Sequence, residues 1–245
     1  MLPLIVPSYV EAAESYGDGP SELLFPEELA LAAGMGAHRR REFATVRHCA
    51  RRAGLRIGVP PGPLLTGPMG APRWPHGVVG SMTHCRGYRA AALARTGDAR
   101  AIGIDAEPHR ALPDGMLARI ALPEERAQQH GLRELDGGVC WDRLLFCAKE
   151  AVYKVWSPLT MVWLGFHEAS VSIAAATASP APGTTAGRFR VRLLKTPPDG
   201  AAGRVPPVLD GRWIASGQLM VTAIVVPAVV PARAAGAVHG DRLRI

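Results

Sequence analysis

The sequence predicts an α+β fold: a pseudo-two-fold duplication of a unit made of one helix and a three-stranded antiparallel sheet, with the functional site at the seam. Three observations carry this expectation. Residues 141–156 place Trp141, Leu144, Leu145, Ala148, Ala151, Val152, Val155 and Trp156 on one continuous arc at about 100° per residue. Residues 38–53 form a second amphipathic stretch, with Phe43, Val46, Ala50 and Ala53 at helical spacing. Each stretch is followed by three strand-like segments, the two sets roughly 100 residues apart. The halves share no visible sequence similarity, so the duplication is read from element order alone. The expected units are residues 1–108, residues 109–228 and a weakly structured basic tail at 229–245.

Composition bounds the class. Of 245 residues 48% are hydrophobic and 20% charged, enough apolar material for a packed core. The net charge of +7 favours an anionic partner: nucleic acid, a phosphorylated ligand, an acidic protein or an acidic membrane surface. Cys49, Cys85, Cys140 and Cys147 have neither C-x-x-C nor zinc spacing and are expected as buried thiols of a cytoplasmic protein. The apolar opening Met1–Pro7 is short, lacks a basic leader and runs into Glu11 and Glu14, so no signal peptide is expected. No apolar run reaches the ~18 residues of a membrane span.

Taken in order, residues 1–36 hold short apolar pieces and a helix start at Pro26-Glu27-Glu28. From His38 to Arg56 seven arginines face one acid, Glu42, in a basic helix ending near Gly54. Arg39 and Arg47 border its apolar stripe, about 80° apart, while Arg41 and Arg52 point to solvent. Residues 57–77 are a Pro/Gly-rich loop. Strands are expected at Val78–Thr83, Tyr88–Ala94 and Ala101–Glu107, the first two turning through Arg86-Gly87. Pro123-Glu124-Glu125 marks another helix start. After the central helix come strands near 169–173, 188–194 and 219–226, with 212–214 opening the last hairpin and loops at 174–187 and 197–207.

Asp105 and Glu107, two apart on a strand, send both carboxylates to one face. Crowded like charges repel, and a hard divalent cation such as Mg²⁺ relieves that repulsion. Two solvated acids at a strand end explain the pair equally well unless Glu150 joins them. Glu150 and Lys154 share the polar arc of the central helix with Arg143, in the order of a surface i,i+4 ion pair. His84 alone reads as a structural histidine. Its neighbour Cys85 points to the opposite face of the strand, which argues against a Cys–His enzyme.

Three segments together resemble a known family. Val79-Gly80-Ser81-Met82-Thr83-His84-Cys85, Gly103-Ile104-Asp105-Ala106-Glu107 and Trp141 through Lys154 are similar, in order and spacing, to the three signatures of the 4′-phosphopantetheinyl transferases. The similarity is to the long, pseudodimeric branch that activates carrier proteins of polyketide, fatty-acid and nonribosomal peptide synthesis, with an actinobacterial cast, and runs from about Arg39 to Val226. Any one motif alone is weakly specific; the three in order are highly specific.

The resemblance implies a cytoplasmic monomer that transfers the phosphopantetheine arm of coenzyme A to a serine of an acidic acyl or peptidyl carrier protein, releasing 3′,5′-ADP. Neither nucleic acid nor membrane is an implied partner. It implies Mg²⁺ held by Asp105, Glu107 and Glu150, with Glu150 also deprotonating the attacking serine. It implies catalytic roles for Glu150, Asp105, Lys154 and His84, and coenzyme A contacts from Arg39, Arg47, Thr83, His84, Lys149 and Lys154. Positioning and charge neutralisation are what phosphoryl-group transfer needs, and these residue types supply both. One departure stands out: Thr66-Gly67-Pro68-Met69-Gly70 carries no Lys or Arg where similar proteins have one, and Arg73 is the nearest base. Two other readings remain: a different Mg²⁺-dependent phosphohydrolase or nucleotidyl transferase, and a basic nucleic-acid-binding module, which leaves the three acids unexplained.

Overall fold

The computed structural model describes residues 1–19, 24–174 and 180–228; the tail expected at 229–245 lies outside them. Its elements are β1 (Glu11–Ser15), α1 (Pro26–Ala32), α2 (Ala37–Arg56), β2 (Val78–Cys85), β3 (Tyr88–Arg95), β4 (Ala99–Pro108), α3 (Met116–Ile120), α4 (Pro123–Leu135), α5 (Trp141–Thr160), β5 (Ala169–Ile173), β6 (Thr184–Leu193), β7 (Val208–Ser216) and β8 (Leu219–Pro227). α1 and α4 begin where the sequence places them. Each has Pro at its first position, and a Glu three residues after the cap accepts the cap N–H: Glu28 from Phe25 at 2.9 Å, Glu125 from Leu122 at 2.7 Å.

The α+β reading holds, but the strands are shared out differently. One sheet has three strands in the order β1-β3-β2, and the other has five in the order β4-β8-β7-β6-β5. β4, expected as the third strand of the first unit, instead pairs antiparallel with β8 from Ala99↔Pro227 to Pro108↔Leu219. The physical reason is edge occupancy. β3 is already bonded to β2 on one side and to β1 on the other, so it has no free edge for the next strand. β1 takes that place, and its Glu-Ala-Ala-Glu-Ser sequence carries none of the β-branched or aromatic residues that mark a strand. The chain thus passes from one sheet to the other at residues 96–98 and not at 108.

β2 and β4 still lie side by side in the same direction, joined through side chains. Ser81 Oγ accepts from Ile104 N–H and Thr83 Oγ1 from Ala106 N–H, both at 3.1 Å. Two hydroxyls thereby satisfy the edge of β4 that no neighbouring strand covers. This contact is the seam.

All eight residues of the predicted α5 arc are buried, and they pack with Trp213, Phe189, Val191 and Ile224 of the five-stranded sheet. Burying each large apolar side chain contributes roughly 1.5–3 kcal/mol. Cys49, Ala50 and Ala53 of α2 pack on Ala13, Ala91 and Leu93 of the other sheet. Between the sheets Ala12, Tyr88, Ala90 and Ala92 meet Ile102, Ile104, Val221 and Ala223. Gly103 sets the height of α5 over β4. A Cβ there would run into the Ala151 carbonyl oxygen and Val155 Cγ2, so only a glycine lets the helix settle onto the strand.

Candidate active site

That close crossing brings α5 side chains onto the carboxylates of β4. Lys154 Nζ donates to Asp105 Oδ1 at 2.8 Å and to the Ile104 carbonyl at 2.9 Å. Thr83 Oγ1 donates to the same Asp105 oxygen at 3.1 Å, so Oδ1 is held from both sides of the seam. Asp105 Oδ2 is buried with no hydrogen-bond partner among the described residues. Two residues on, Glu107 Oε2 accepts from Arg143 Nη1 at 2.9 Å. Glu150, half-buried on α5, has neither hydrogen bond nor ion pair among the described residues.

The three acids feel one another. Burial and then the Asp105 charge push the Glu107 carboxyl above the usual carboxylate range, against the pull of Arg143. Burial, Asp105 and Glu107 raise Glu150 likewise, opposed by Lys154. Among the described residues no group of three His, Cys, Asp or Glu side chains is gathered closely enough to hold a metal ion as it stands. The donor chemistry nevertheless suits a hard divalent cation. The three groups are carboxylates, one buried oxygen is orphaned among the described residues, and burial together with their mutual repulsion raises two of the acids.

The opposite wall comes from α2. Glu42 carries the cations around it: Arg89 Nη2 at 3.1 Å, itself buried and also paired to Asp18 at 2.8 Å, and Arg39 Nη1 at 3.3 Å. The Arg39 guanidinium also contacts His84 Nε2. That nitrogen accepts, so the imidazole proton is assigned to Nδ1. Burial, reinforced by Arg39, Lys154 and Arg89, holds the His84 imidazolium down to about 4, so the ring is neutral at neutral pH. Arg47 is buried with its guanidinium 3.3 Å over the Phe43 ring, its Nε donating to the Leu64 carbonyl at 3.0 Å and lying 3.6 Å from Glu28. Burial lowers it to about 10, still a cation at neutral pH.

Between these walls lies a cleft of about 490 Å³. Its charged lining includes Arg39, Glu42, Arg47, Arg100, Glu150 and Lys154, with neutral His84 beside them, and Met69, Trp74, Met82 and the ring of Tyr153 add apolar surface. A smaller, mostly apolar cavity of about 100 Å³ shares Glu150 and Tyr153 and continues to Trp163, Leu164 and Phe166.

Arg39, Arg47, His84, Glu150 and Lys154 thus meet at the cleft, with Asp105 behind Lys154. Arg41 and Arg52 are exposed, as expected. Other expectations are corrected. Thr83 does not line the cleft; it alternates away from His84 and bonds Asp105 instead. Lys149 does not line the larger cleft; it borders the smaller cavity, with its ammonium held by Glu125 at 2.9 Å and the carbonyls of Phe166 and Ala169. Lys154 pairs with Asp105, not with Glu150 in a surface i,i+4 bridge. Arg143, on the polar arc, is buried. The 66–72 loop does line the cleft, through Thr66 and Met69–Pro72, without a cation. Arg100, at an irregularity in the β4 ladder, was missed and adds one. Arg143 had one legible signal: it precedes Glu150 by seven residues, which puts the two within about 20° on the helix.

The comparisons with known proteins bear on this cleft. Residues 26–94 match the 4′-phosphopantetheinyl transferase N-terminal domain, and residues 101–197 match the 4′-phosphopantetheinyl transferase superfamily. The chain is 49% identical over 231 residues to the 4′-phosphopantetheinyl transferase Svp of Streptomyces mobaraensis, covering 93% of this chain and 90% of that one. It is 48% identical over 228 residues to PptT of Mycobacterium tuberculosis (92% and 96% covered) and 45% over 225 residues to Npt of Nocardia iowensis (91% and 99%). The two family matches meet between residues 94 and 101, where the chain crosses from one sheet to the other, and with identity sustained over nine-tenths of its length the chain belongs to the 4′-phosphopantetheinyl transferase superfamily.

Proposed function

We propose that this protein transfers the 4′-phosphopantetheine arm of coenzyme A to a serine of an apo carrier protein, giving holo carrier protein and 3′,5′-ADP. The observation that carries the reading is the meeting, at one cleft, of Glu150 and Lys154 with the Arg39, Arg47 and His84 wall, Asp105 being bonded to Lys154 behind it. The nucleotide half of coenzyme A suits the larger cleft, where Arg39 and Arg47 are the cations for the 3′-phosphate. The uncharged arm suits the smaller cavity beyond Glu150. Lys154 faces the pyrophosphate, and neutral His84 offers a hydrogen bond without adding charge.

In the transfer step the serine oxygen bonds to the phosphorus that carries the arm, and the bond from that phosphorus to the bridging oxygen of 3′,5′-ADP breaks. Glu150, whose carboxylate takes no hydrogen bond from the described residues and is raised by burial and its acidic neighbours, takes the serine proton. Asp105, Glu107 and Glu150 would hold Mg²⁺, which when bound supplies charge neutralisation for the pyrophosphate and the leaving ADP. Thr83 keeps Asp105 Oδ1 in place. The net charge of +7 suits an acidic carrier protein as the acceptor.

Intact-mass measurement of an apo carrier protein incubated with this protein, coenzyme A and Mg²⁺ tests the reading. Gain of one phosphopantetheinyl group on the acceptor serine is expected. Consumption of coenzyme A without any acceptor would point instead to a hydrolase.

A further inference from the structure

Arg143 is a cation beside the carboxylates that the chemistry above leaves unused. It is buried on α5, and all three of its guanidinium nitrogens are engaged: Nε with the Arg110 carbonyl at 3.1 Å, Nη2 with the Ala111 carbonyl at 3.0 Å, and Nη1 with Glu107 Oε2 at 2.9 Å. The two carbonyl bonds fix the plane of the fork, so the third donor has one direction left, and Glu107 lies there. Glu107 Oε1 takes no hydrogen bond from the described residues. Glu107 stands beside Asp105, which repels it, and Arg143 is the cation bonded to it. Arg143 and Glu150 also share one rigid helix, seven residues apart. A single element therefore carries one acid of the group and grips another, which fixes the spacing between them.

We propose that Arg143 is a positioning residue: it holds Glu107 by one oxygen and leaves the other available to a divalent cation shared with Asp105 and Glu150. This rests on the metal reading of the three carboxylates given above. A lysine could neutralise Glu107, but its ammonium is a point charge on a flexible stem and lacks the planar fork that fixes the direction of the bond to Glu107. An apolar residue would leave Glu107 free to swing away from Asp105.

Mn²⁺ titration followed by electron paramagnetic resonance, with coenzyme A present and no carrier protein, tests this without depending on turnover. The wild-type protein should bind Mn²⁺ in a coenzyme A-dependent way. Arg143→Met should weaken that binding by about 10–100-fold, the range for loss of a group that orients a metal ligand, and Arg143→Lys should fall between the two. Coenzyme A binding without metal should be unchanged in both. In a Glu107→Gln background, Arg143→Lys should cause no further loss of Mn²⁺ affinity, because the residue it positions is already impaired. If wild-type protein binds no Mn²⁺ with coenzyme A, the metal reading itself fails. If it does bind, and the folded Lys variant binds equally well or adds its full effect on top of Glu107→Gln, the positioning role is overturned. Should Arg143→Met not fold, the Lys variant and the Glu107→Gln pair decide alone.

Discussion

Lys154 Nζ lies 2.8 Å from Asp105 Oδ1, and through that contact α5 and β4 share one half-buried charge pair. The pair joins residues 49 apart in the chain and replaces the helix-surface bridge that the i,i+4 spacing of Glu150 and Lys154 suggests. It leaves Glu150 unpartnered among the described residues, which is the state a proton acceptor needs.

Asp105→Ala should abolish transfer at ordinary Mg²⁺. From the sequence alone, relief of crowding with Glu107 predicts unchanged or higher stability. The structure reverses that sign: both Lys154 and Thr83 lose an acceptor, so a loss of about 1–2 kcal/mol is expected. Urea unfolding of the two proteins checks it, and equal midpoints would show that the repulsion cancels the bonds.

Arg39→Ala and Arg47→Ala should each weaken coenzyme A binding by roughly 1–3 kcal/mol, with little effect on dephospho-coenzyme A. The variants should differ in stability. Arg39 is half exposed, whereas Arg47 is buried between Phe43, Leu64 and Glu28, so only its removal should lower the melting temperature. Calorimetric titration with both ligands reads the first effect; equal losses for the two would place these arginines away from the 3′-phosphate.

Glu150→Gln keeps the shape of the side chain and removes its basicity. The rate should fall by about 10²–10⁴-fold and should not recover as Mg²⁺ is raised, while coenzyme A binding at saturating Mg²⁺ stays near normal. Recovery by metal alone would reduce Glu150 to a ligand.

His84 links stability to pH. Folding holds its pKa at about 4, chiefly by burial, against the ordinary value near 6.5. Between those values the unfolded chain binds more protons, so stability rises with pH across the window; the contribution is fully present above about 6.5 and lost as pH falls toward 4. His84→Gln should flatten the acid side of the stability curve over that range. Unfolding midpoints measured across the window decide it, and parallel curves for the two proteins would mean that His84 titrates normally in the fold.

The sequence by itself determined the local geometry. The arc from Trp141 to Trp156 specified which face of α5 would be buried, because side-chain direction along a helix follows from spacing alone. Period-two alternation placed Asp105 and Glu107 on one face, and the three motifs identified the family. Partner choice was decided by the tertiary structure. Alternation says which way a strand's side chains point but not which edge is free, and β3 had none to offer, so β4 crossed to β8. Spacing put Arg143, Glu150 and Lys154 on one polar arc. It could not say that Gly103 would let that arc descend onto β4, where long flexible cations reach the nearest acids: Lys154 to Asp105, Arg143 to Glu107, and, from another side of the helix, Lys149 to Glu125.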